Sequence, residues 1–211
     1  IMLTEIHRQA RDNPIVAMSL AIREGRGLEP GRYGESKVIS RREVDQAEVL
    51  AADQVLVGRN KTRLDYNNRI RELKGLPEDR PVEGDRLVCL RNNPRKKLLN
   101  GQIWTVAGVK RKAAGTLELE IDPDEADRTT ARTKVTTHTS FFQSAESEMS
   151  WQMRRQYDEF TYGYCLTVHK SQGSQWDDVY LFNESYVFRE DAQRWLYTGV
   201  TRAAETITVV V

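Results

Sequence analysis

Hydrophobic residues along the chain form short continuous runs that alternate with segments of helical periodicity. Four runs predict buried strands, at 55–58, 164–168, 178–182 and 206–211. Helical patterns predict three helices. The first begins at Pro14 behind an Asp12 or Asn13 cap, the second follows residues 59–62 and ends near Leu73, and the third covers Arg189 to Ala203. Strands that alternate with helices indicate an α/β domain, in which a mostly parallel sheet is flanked by helices.

The amino-terminal part of the chain has weaker patterns. Residues 2–9 resemble a short strand that leads into a polar turn, and the apolar start at Ile1 and Met2 suggests a piece of a longer protein. Ile15, Met18, Ala21 and Ile22 share one face of the first helix, which Gly25 and Gly27 end. Residues 28–37 are rich in glycine and charge, which predicts a loop.

Residues 84–142 have a different pattern. Short strands at 85–90, 102–109, 116–121 and 134–142 are separated by turns, one of them at Asn100-Gly101. This pattern predicts a small β-barrel inserted into the α/β domain. We therefore expect three parts: a first segment at 1–28, the α/β domain at 29–83 and 143–211, and the barrel at 84–142.

Composition excludes several classes of protein. The chain has 211 residues, is 39% hydrophobic and carries a net charge of +1, so any nucleic-acid site has to be a local patch. One candidate patch is residues 84–121, with eight Lys or Arg against three Asp or Glu, although solvated turns often carry such charge. Two cysteines in strand-like runs indicate buried thiols in a reducing compartment. Three scattered histidines argue against structural zinc, and no apolar run is long enough to span a membrane.

The segment from Tyr162 to Val179 combines a buried run with a polar loop, His169 to Gln175. Open α/β sheets bind ligands where strands end in such loops. Gly173 lets the backbone approach a phosphate, to which Lys170 and Gln172 can bond. The same pattern also fits an ordinary junction between a strand and a loop.

Three segments together carry a family resemblance. LTEIHRQA (3–10), TVHKSQGSQWDDV (167–179) and WLYTGVTRAAE (195–205) resemble motifs IV, V and VI of superfamily 1 helicases. The RecD-like and Dda-like branch, which moves 5′ to 3′ on single-stranded DNA, is the most similar. The resemblance implies the second, RecA-like motor domain (a UvrD-like C-terminal domain), with an SH3-like barrel inserted between motifs IV and V.

The resemblance also implies roles for individual residues. Arg202 and Arg8 match the motif VI and motif IV arginines that contact the γ-phosphate of ATP, where a guanidinium stabilises developing charge. Gln172, Gly173, Gln175 and His7 match nucleotide-binding positions, although many relatives have Glu where this chain has Gln175. The positions implied to contact DNA are Thr167, His169 and Ser171 in motif V and, by analogy, Asn60 and Thr62.

Each of these roles has a structural alternative. The arginines can form surface salt bridges, His7 can pack in a turn, and residues 58–62 fit an ordinary loop that caps a helix. Trp176 and Trp195 suit a hydrophobic core better than base stacking.

Two motifs of a complete motor are missing. The chain contains no Gly-x-x-x-x-Gly-Lys-Ser/Thr sequence and no apolar strand that ends in an Asp-Glu pair. The phosphate cradle and the Mg²⁺ ligands are therefore expected in an N-terminal RecA-like domain of the same protein. The isolated chain is expected to be inactive as an ATP hydrolase and helicase.

Single-stranded DNA and that first domain are the expected partners, with a nuclease or a repair and recombination complex as a further one. A cytoplasmic, bacterial or phage-encoded protein is expected. Three alternatives stay open: a non-catalytic nucleic-acid-binding or partner-docking module, the motor part of a larger nuclease or relaxase complex, and an RNA track in place of DNA.

Overall fold

The computed structural model describes residues 13–124, 131–143 and 149–211. The strand predicted at 2–9 and the sites predicted at His7 and Arg8 lie outside these residues. The described helices are α1 (Pro14–Arg23), α2 (Gln46–Ala51), α3 (Asn60–Leu73), α4 (Trp151–Arg154) and α5 (Ala192–Val200). The described strands are β1 (Gly31–Tyr33), β2 (Ser36–Ile39), β3 (Gln54–Val57), β4 (Arg86–Cys89), β5 (Ile103–Arg111), β6 (Thr116–Pro123), β7 (Thr133–His138), β8 (Phe160–Tyr162), β9 (Cys165–Thr167), β10 (Trp176–Phe182) and β11 (Ala203–Val210).

The chain folds into two compact units. The parallel unit consists of Ile1–Asp65 and Cys165–Val211, and the antiparallel unit is the continuous segment Tyr66–Tyr164. The antiparallel unit extends on both sides of the 84–142 range that the sequence predicts for the insertion. Within the described residues, no helix is both long enough and apolar enough to cross a bilayer.

The parallel unit is built on a six-stranded sheet with the order β1-β2-β11-β10-β3-β9. Neighbouring strands from β2 to β9 run parallel, and β1 pairs antiparallel with β2 at one edge. All residues of β3 and β9 are buried, as continuous apolar runs in a sheet covered on both faces require. The predicted α/β class and mostly parallel sheet are confirmed.

The first helix begins as the sequence predicts. The Asn13 side chain accepts a hydrogen bond from Ile15 N at 2.8 Å, and Pro14 occupies the first turn. Ile15, Met18 and Ile22 are its buried face. The helix predicted at 189–203 is shorter, since α5 covers only Ala192–Val200 and a 3-10 helix, Ser185–Asp191, precedes it.

The loop predicted at 28–37 is wrong. Strands β1 and β2 form a hairpin there, with Tyr33 paired to Ser36 across a turn in which Gly34 has a φ of 62°. Glycine adopts this left-handed conformation without strain, so the residue that suggested a loop makes the turn of the hairpin. Strand β2 then pairs with β11, and its Val38 and Ile39 are buried.

The antiparallel unit contains a five-stranded sheet with the order β7-β6-β5-β4-β8. Its core packs around Trp104, with aliphatic residues from β4, β5, β6 and β7. The four strands predicted between 85 and 142 are present, although β7 ends at His138 and a 3-10 helix covers Thr139–Phe141. Asp158 N donates to Thr136 O at 2.7 Å, which links the segment before β8 to β7 at the other edge of the sheet.

A buried ion pair fixes the end of α3 within this unit. The guanidinium of Arg71 donates to both carboxylate oxygens of Asp85 at 2.9 Å, and both side chains are almost fully buried. Asp85 also accepts from Val82 N at 2.7 Å and from the Tyr164 hydroxyl at 3.0 Å. Arg71 lies 3.9 Å from the centre of the Tyr162 ring. This network satisfies two charges that burial alone would make costly.

Both cysteines are free and buried. Burial raises the pKa of the Cys89 thiol to about 11, and it raises the pKa of the Cys165 thiol as well. Because the thiolate is the reactive form, both side chains act as small apolar core residues.

Candidate functional site at the two edges of the parallel sheet

The carboxyl ends of three parallel strands lie side by side, and we call this end of the sheet the carboxyl edge. Val57, the last residue of β3, pairs with Thr167, the last residue of β9, and Leu56 pairs with Leu181 near the end of β10. The loops after these strands therefore lie side by side. The strand ends and the segments that follow them contain all five predicted DNA-contacting residues: Asn60, Thr62, Thr167, His169 and Ser171.

These predicted residues differ in how accessible they are. His169 and Asn60 are exposed. Thr167 is buried, and its hydroxyl oxygen accepts from Lys170 N at 3.3 Å. Ser171 is fully buried, and its hydroxyl donates to Val168 O at 2.8 Å. Both hydroxyls therefore hold the turn that follows β9, and His169 and Asn60 are the groups most open to a ligand.

Glu184 is a residue at this edge that the sequence did not indicate. Its carboxylate accepts from Gly58 N at 2.8 Å, from Arg59 N at 2.9 Å and from the Thr62 hydroxyl at 2.7 Å. The Arg59 guanidinium pairs with it at 2.8 Å. The site is the amino-terminal end of α3, where unpaired backbone N–H groups favour an anion. No local pattern reveals this contact, because 122 to 126 residues separate Glu184 from its partners.

The hydrogen bonds change the acidity of Glu184. Burial by itself raises the pKa of the carboxyl, but the hydrogen bonds from Thr62, Arg59 and Gly58 together outweigh it and lower the pKa below its ordinary value. The Glu184 side chain is only 3% exposed. The carboxylate is therefore ionised near neutral pH and holds the loop after β3 in place.

Gly58 is required by the close approach of this carboxylate. A Cβ atom at position 58 would lie 2.8 Å from Glu184 Cβ and 3.1 Å from a ring carbon of Phe188. Only glycine allows the loop to come this near to the segment after β10.

The parallel strands begin at the opposite end of the sheet, which we call the amino edge. It brings together Gln175 and Arg202. Trp176 and Ala203 pair at the beginning of β10 and β11, and these two predicted site residues directly precede them. Arg202 donates from Nε to Thr198 O at 3.1 Å, from Nη1 to Ser174 O at 3.0 Å and from Nη2 to the Thr201 hydroxyl at 3.3 Å. Gln175 is exposed, and its amide donates to Ala203 O at 3.4 Å.

The acceptors around Arg202 are all neutral. Among residues 13–124, 131–143 and 149–211, no carboxylate lies within ion-pair distance of its guanidinium. The side chain is only partly buried. Carbonyl and hydroxyl groups therefore orient a positive charge that no anion of the described structure neutralises. Such a group can bind the phosphate of a ligand.

One segment connects the two edges. Residues 168–175 run from the end of β9 to the beginning of β10, and Trp176 lies six residues before Phe182 along β10. At about 3.3 Å per residue, the segment crosses roughly 20 Å of sheet. Gln172 is exposed within it, and Gly173 has a φ of 92° with open space around its Cα. A single short stretch of chain therefore joins the two edges.

Metal ligands do not cluster in this part of the molecule. Within the described residues, no group of three or more His, Cys, Asp or Glu is arranged to hold a metal ion. At the amino edge, Arg202 is one cationic group available to an anionic ligand.

The sequence of this region decides which known proteins it resembles. Residues 162–210 match the family model of the UvrD-like helicase C-terminal domain. The matched range contains residues from both edges of the site, including Thr167, Gln175 and Arg202.

Solved structures share the fold at low sequence identity. A crystal structure of Bacteroides Pif1 bound to single-stranded DNA has a TM-score of 0.50 and 13% identity, and the match covers 92% of this chain and 48% of that chain. A second structure, of two coordinating Pif1 helicases that unwind forked double-stranded DNA, has a TM-score of 0.50 and 14% identity. That match covers 92% of this chain and 46% of the other chain. This chain thus spans about half the length of these structures.

The solved structures show the architecture, and the family match concerns the sequence of residues 162–210. The chain has a mixed α/β fold with two sheets that is similar to the RecA-like domains of helicases. Its last quarter is similar in sequence to the C-terminal domain of UvrD-like helicases. The resemblance predicted from motifs V and VI is confirmed at that level.

Proposed function

We propose that this chain is the C-terminal motor half of an ATP-dependent helicase or translocase that moves 5′ to 3′ on single-stranded DNA, in the manner of RecD-like and Dda-like enzymes. The family match over 162–210 supports a helicase motor domain. The shared fold with Bacteroides Pif1, a structure solved with single-stranded DNA, supports that partner. In this proposal the N-terminal RecA-like domain belongs to the same protein.

The observation that carries the proposal is the segment 168–175, which joins the two edges of the parallel sheet. The residues proposed to face DNA, Thr167 and His169, lie at its start, and Gln175 lies at its end beside Arg202. A motor has to couple nucleotide hydrolysis to movement along a strand. A continuous link between the two groups of residues is the physical requirement for that coupling.

Arg202 is proposed to contact the γ-phosphate. ATP supplies the phosphoryl group, and negative charge builds on its equatorial oxygens as the bond to the leaving group breaks. The Arg202 guanidinium stabilises this charge, while the carbonyls of Thr198 and Ser174 hold it in position. Arg8 is proposed to act with it, and His7, Gln172, Gly173 and Gln175 to contact the nucleotide. The Mg²⁺ ligands are proposed to lie in the first domain.

DNA contacts are proposed for the carboxyl edge, directly at Asn60 and His169, with Thr62, Thr167 and Ser171 in a supporting role. The exposed His169 and Asn60 are the first candidates for phosphate contacts, which position a strand without reading its sequence. The buried hydroxyls of Thr167 and Ser171 support the turn that presents His169.

The antiparallel unit is proposed to be an SH3-like barrel that supports the strand or a separating element of the first domain. The hydrogen bond from Asp158 to Thr136 between opposite edges of its sheet supports a closed barrel. Its charge is lower than the segment 84–121 suggests: residues 66–164 contain seventeen Lys or Arg and fifteen Asp or Glu, a net of +2. Strong electrostatic attraction of DNA to this unit is therefore not part of the proposal. A reducing cytoplasm, in keeping with two free thiols, is the proposed location.

Substitution of Arg202 in the full protein, together with its first motor domain, tests the assignment. Arg202→Ala is expected to lower DNA-stimulated ATP turnover by about 10³–10⁵-fold, the range known for arginine fingers, while nucleotide binding is largely retained. Arg202→Lys keeps the charge but not the paired geometry and is expected to rescue little. Arg32→Ala, at an exposed arginine of β1, is the matched control and should leave turnover unchanged. Wild-type turnover in Arg202→Ala would show that Arg202 is not the arginine finger, whereas absence of ATP turnover in the unsubstituted full protein would favour a binding module without a motor.

A further inference from the structure

A small pocket beside the carboxyl edge of the parallel sheet includes the predicted site residues His169 and Gln172, but most of its lining has no predicted role. It has a volume of about 260 Å³ and lies between the loop after β9 and helix α5. Three aromatic and three polar side chains define it: His169, Phe188 and Trp195, with Gln172, Asp191 and Arg194. The volume is just below the range of about 300–1,000 Å³ for small-molecule sites, so it suits one ring system rather than a whole nucleotide.

The aromatic side chains on one side of this pocket pack against one another and form its aromatic wall. Phe188 stacks on Trp195, with ring centres 5.3 Å apart and an angle of 15° between the ring planes. The ring of the exposed His169 contacts Phe188 in a tilted arrangement, with ring centres 5.2 Å apart. Trp195 is 97% buried, and its indole nitrogen has no hydrogen-bond partner among the described residues. The wall of the pocket on this side is therefore formed by aromatic rings that pack against one another.

Three polar side chains around the pocket have no hydrogen-bond or ion-pair partner among the described residues. Within the described parts of the chain, the side chains of Gln172, Asp191 and Arg194 make no hydrogen bond or ion pair. They offer donors and acceptors side by side. Asp191 would repel a phosphate, whereas the edge of a nucleobase carries both donors and acceptors and matches the set.

Backbone strain lies next to these groups. Arg189, between Phe188 and Asp191, has a φ of 47° and a ψ of −111°. Non-glycine residues in such conformations cost roughly 1–3 kcal/mol and cluster at functional sites. The strained turn lies between an aromatic and a polar side chain that both line the pocket.

We propose that this pocket binds one base of the single-stranded nucleic acid, stacked against the aromatic wall and hydrogen-bonded by Gln172, Asp191 and Arg194. This inference rests on the proposed function, because the strand has to pass His169 for a base to enter. Stacking holds a strand without sequence preference, since every base has an aromatic face. A base held here would keep the strand in place while the cleft at Arg202 opens and closes.

The test is binding of the 211-residue chain to an oligothymidine and to the same oligomer with abasic sites. The wild type should prefer the oligothymidine. Phe188→Leu, which keeps an apolar contact with Trp195 but removes the ring, should weaken oligothymidine binding by about 5- to 150-fold and leave abasic binding unchanged. Gln172→Ala and Arg194→Ala, at exposed positions, should give smaller losses in the same direction. Tyr186→Leu, which removes an exposed ring from the same 3-10 helix but outside the pocket, is the control.

Two results would overturn the inference in distinguishable ways. If the chain binds both oligomers equally, or if Phe188→Leu weakens both equally, the pocket takes no base and the proposed function stands. If the wild type binds neither oligomer, the proposed function fails together with the pocket. Thermal unfolding of each variant shows that the substituted chains are folded.

Discussion

In the antiparallel unit, charged side chains pair with one another, whereas at the edges of the parallel sheet several have no partner. At least five of the eight basic residues in 84–121 form ion pairs with described residues of their unit: Arg86, Arg91, Lys96, Arg111 and Lys112. At the parallel sheet, Gln172, Asp191 and Arg194 make no such contact within the described residues, and Arg202 has neutral acceptors alone. Charges that are neutralised inside a unit are taken up by the fold, whereas the charges of Asp191, Arg194 and Arg202 are available to a ligand. Glu184 differs from these groups at the carboxyl edge, because it is buried and paired with Arg59.

The largest effect on stability is expected from Asp85 in the antiparallel unit. Asp85→Ala leaves the buried Arg71 guanidinium without its carboxylate and removes an acceptor from Tyr164 and Val82. The loss of one partner of a buried pair costs about 3–5 kcal/mol. Chemical denaturation should show a decrease of that size in the free energy of unfolding. A decrease below about 1 kcal/mol would show that this pair does not hold the unit together.

A smaller effect that depends on pH is expected from Glu184. In Glu184→Gln the amide presents N–H groups to N–H donors, so we expect a loss of about 2 kcal/mol at neutral pH. Because the folded-state pKa of Glu184 is lowered, the stability that its charge contributes is present above the ordinary value of about 4.3. This contribution to stability is lost as the pH falls through the folded-state pKa of Glu184.

The measurement for Glu184 is the free energy of unfolding of wild type and Glu184→Gln at several pH values. The difference between the two proteins should be constant near neutral pH and should shrink below about pH 4. A difference that does not change with pH would mean that shape rather than charge is responsible. Glu190→Gln, at an exposed carboxylate six residues further along, is the matched control.

The smallest effect is expected from an exposed ion pair of the antiparallel unit. Lys134 pairs with Glu120 at 3.0 Å, but the lysine side chain is 84% exposed. Pairs in this setting contribute about 0–1 kcal/mol and are screened by salt. Lys134→Ala should therefore change the midpoint of denaturation only slightly. A loss as large as that of Asp85→Ala would remove the distinction between buried and exposed pairs.

Strands with continuous apolar runs could be predicted from the sequence, and the pairing between distant residues could not. β3, β9, β10 and β11 lie close to their predicted positions because burial on both faces leaves a local pattern. The apolar stretch 160–168 contains two strands in different sheets, and nothing in its composition reveals the division at Gly163. A Cβ atom there would lie 2.9 Å from the backbone of Leu87, which is a contact between distant parts of the chain.

The candidate site was predicted only in part for the same reason. Arg202, Gln175, Thr167 and His169 stand in motifs that can be read along the chain, and the structure groups them at two edges of one sheet. Glu184 and Phe188 have no such motif. Their importance arises from contacts with Gly58, Thr62 and His169 across the fold, which only the tertiary structure brings together.

The insertion of the antiparallel unit between β3 and β9 also determines the order in which the sheet can assemble during synthesis. Both neighbours of β3, and the parallel neighbour of β2, come after residue 164. At about 5–20 residues per second, the apolar β3 waits on the order of 5–20 s for its first partner while the whole antiparallel unit emerges. During that interval β3 presents unpaired backbone and apolar side chains, which makes it the segment of the nascent chain that a chaperone would protect.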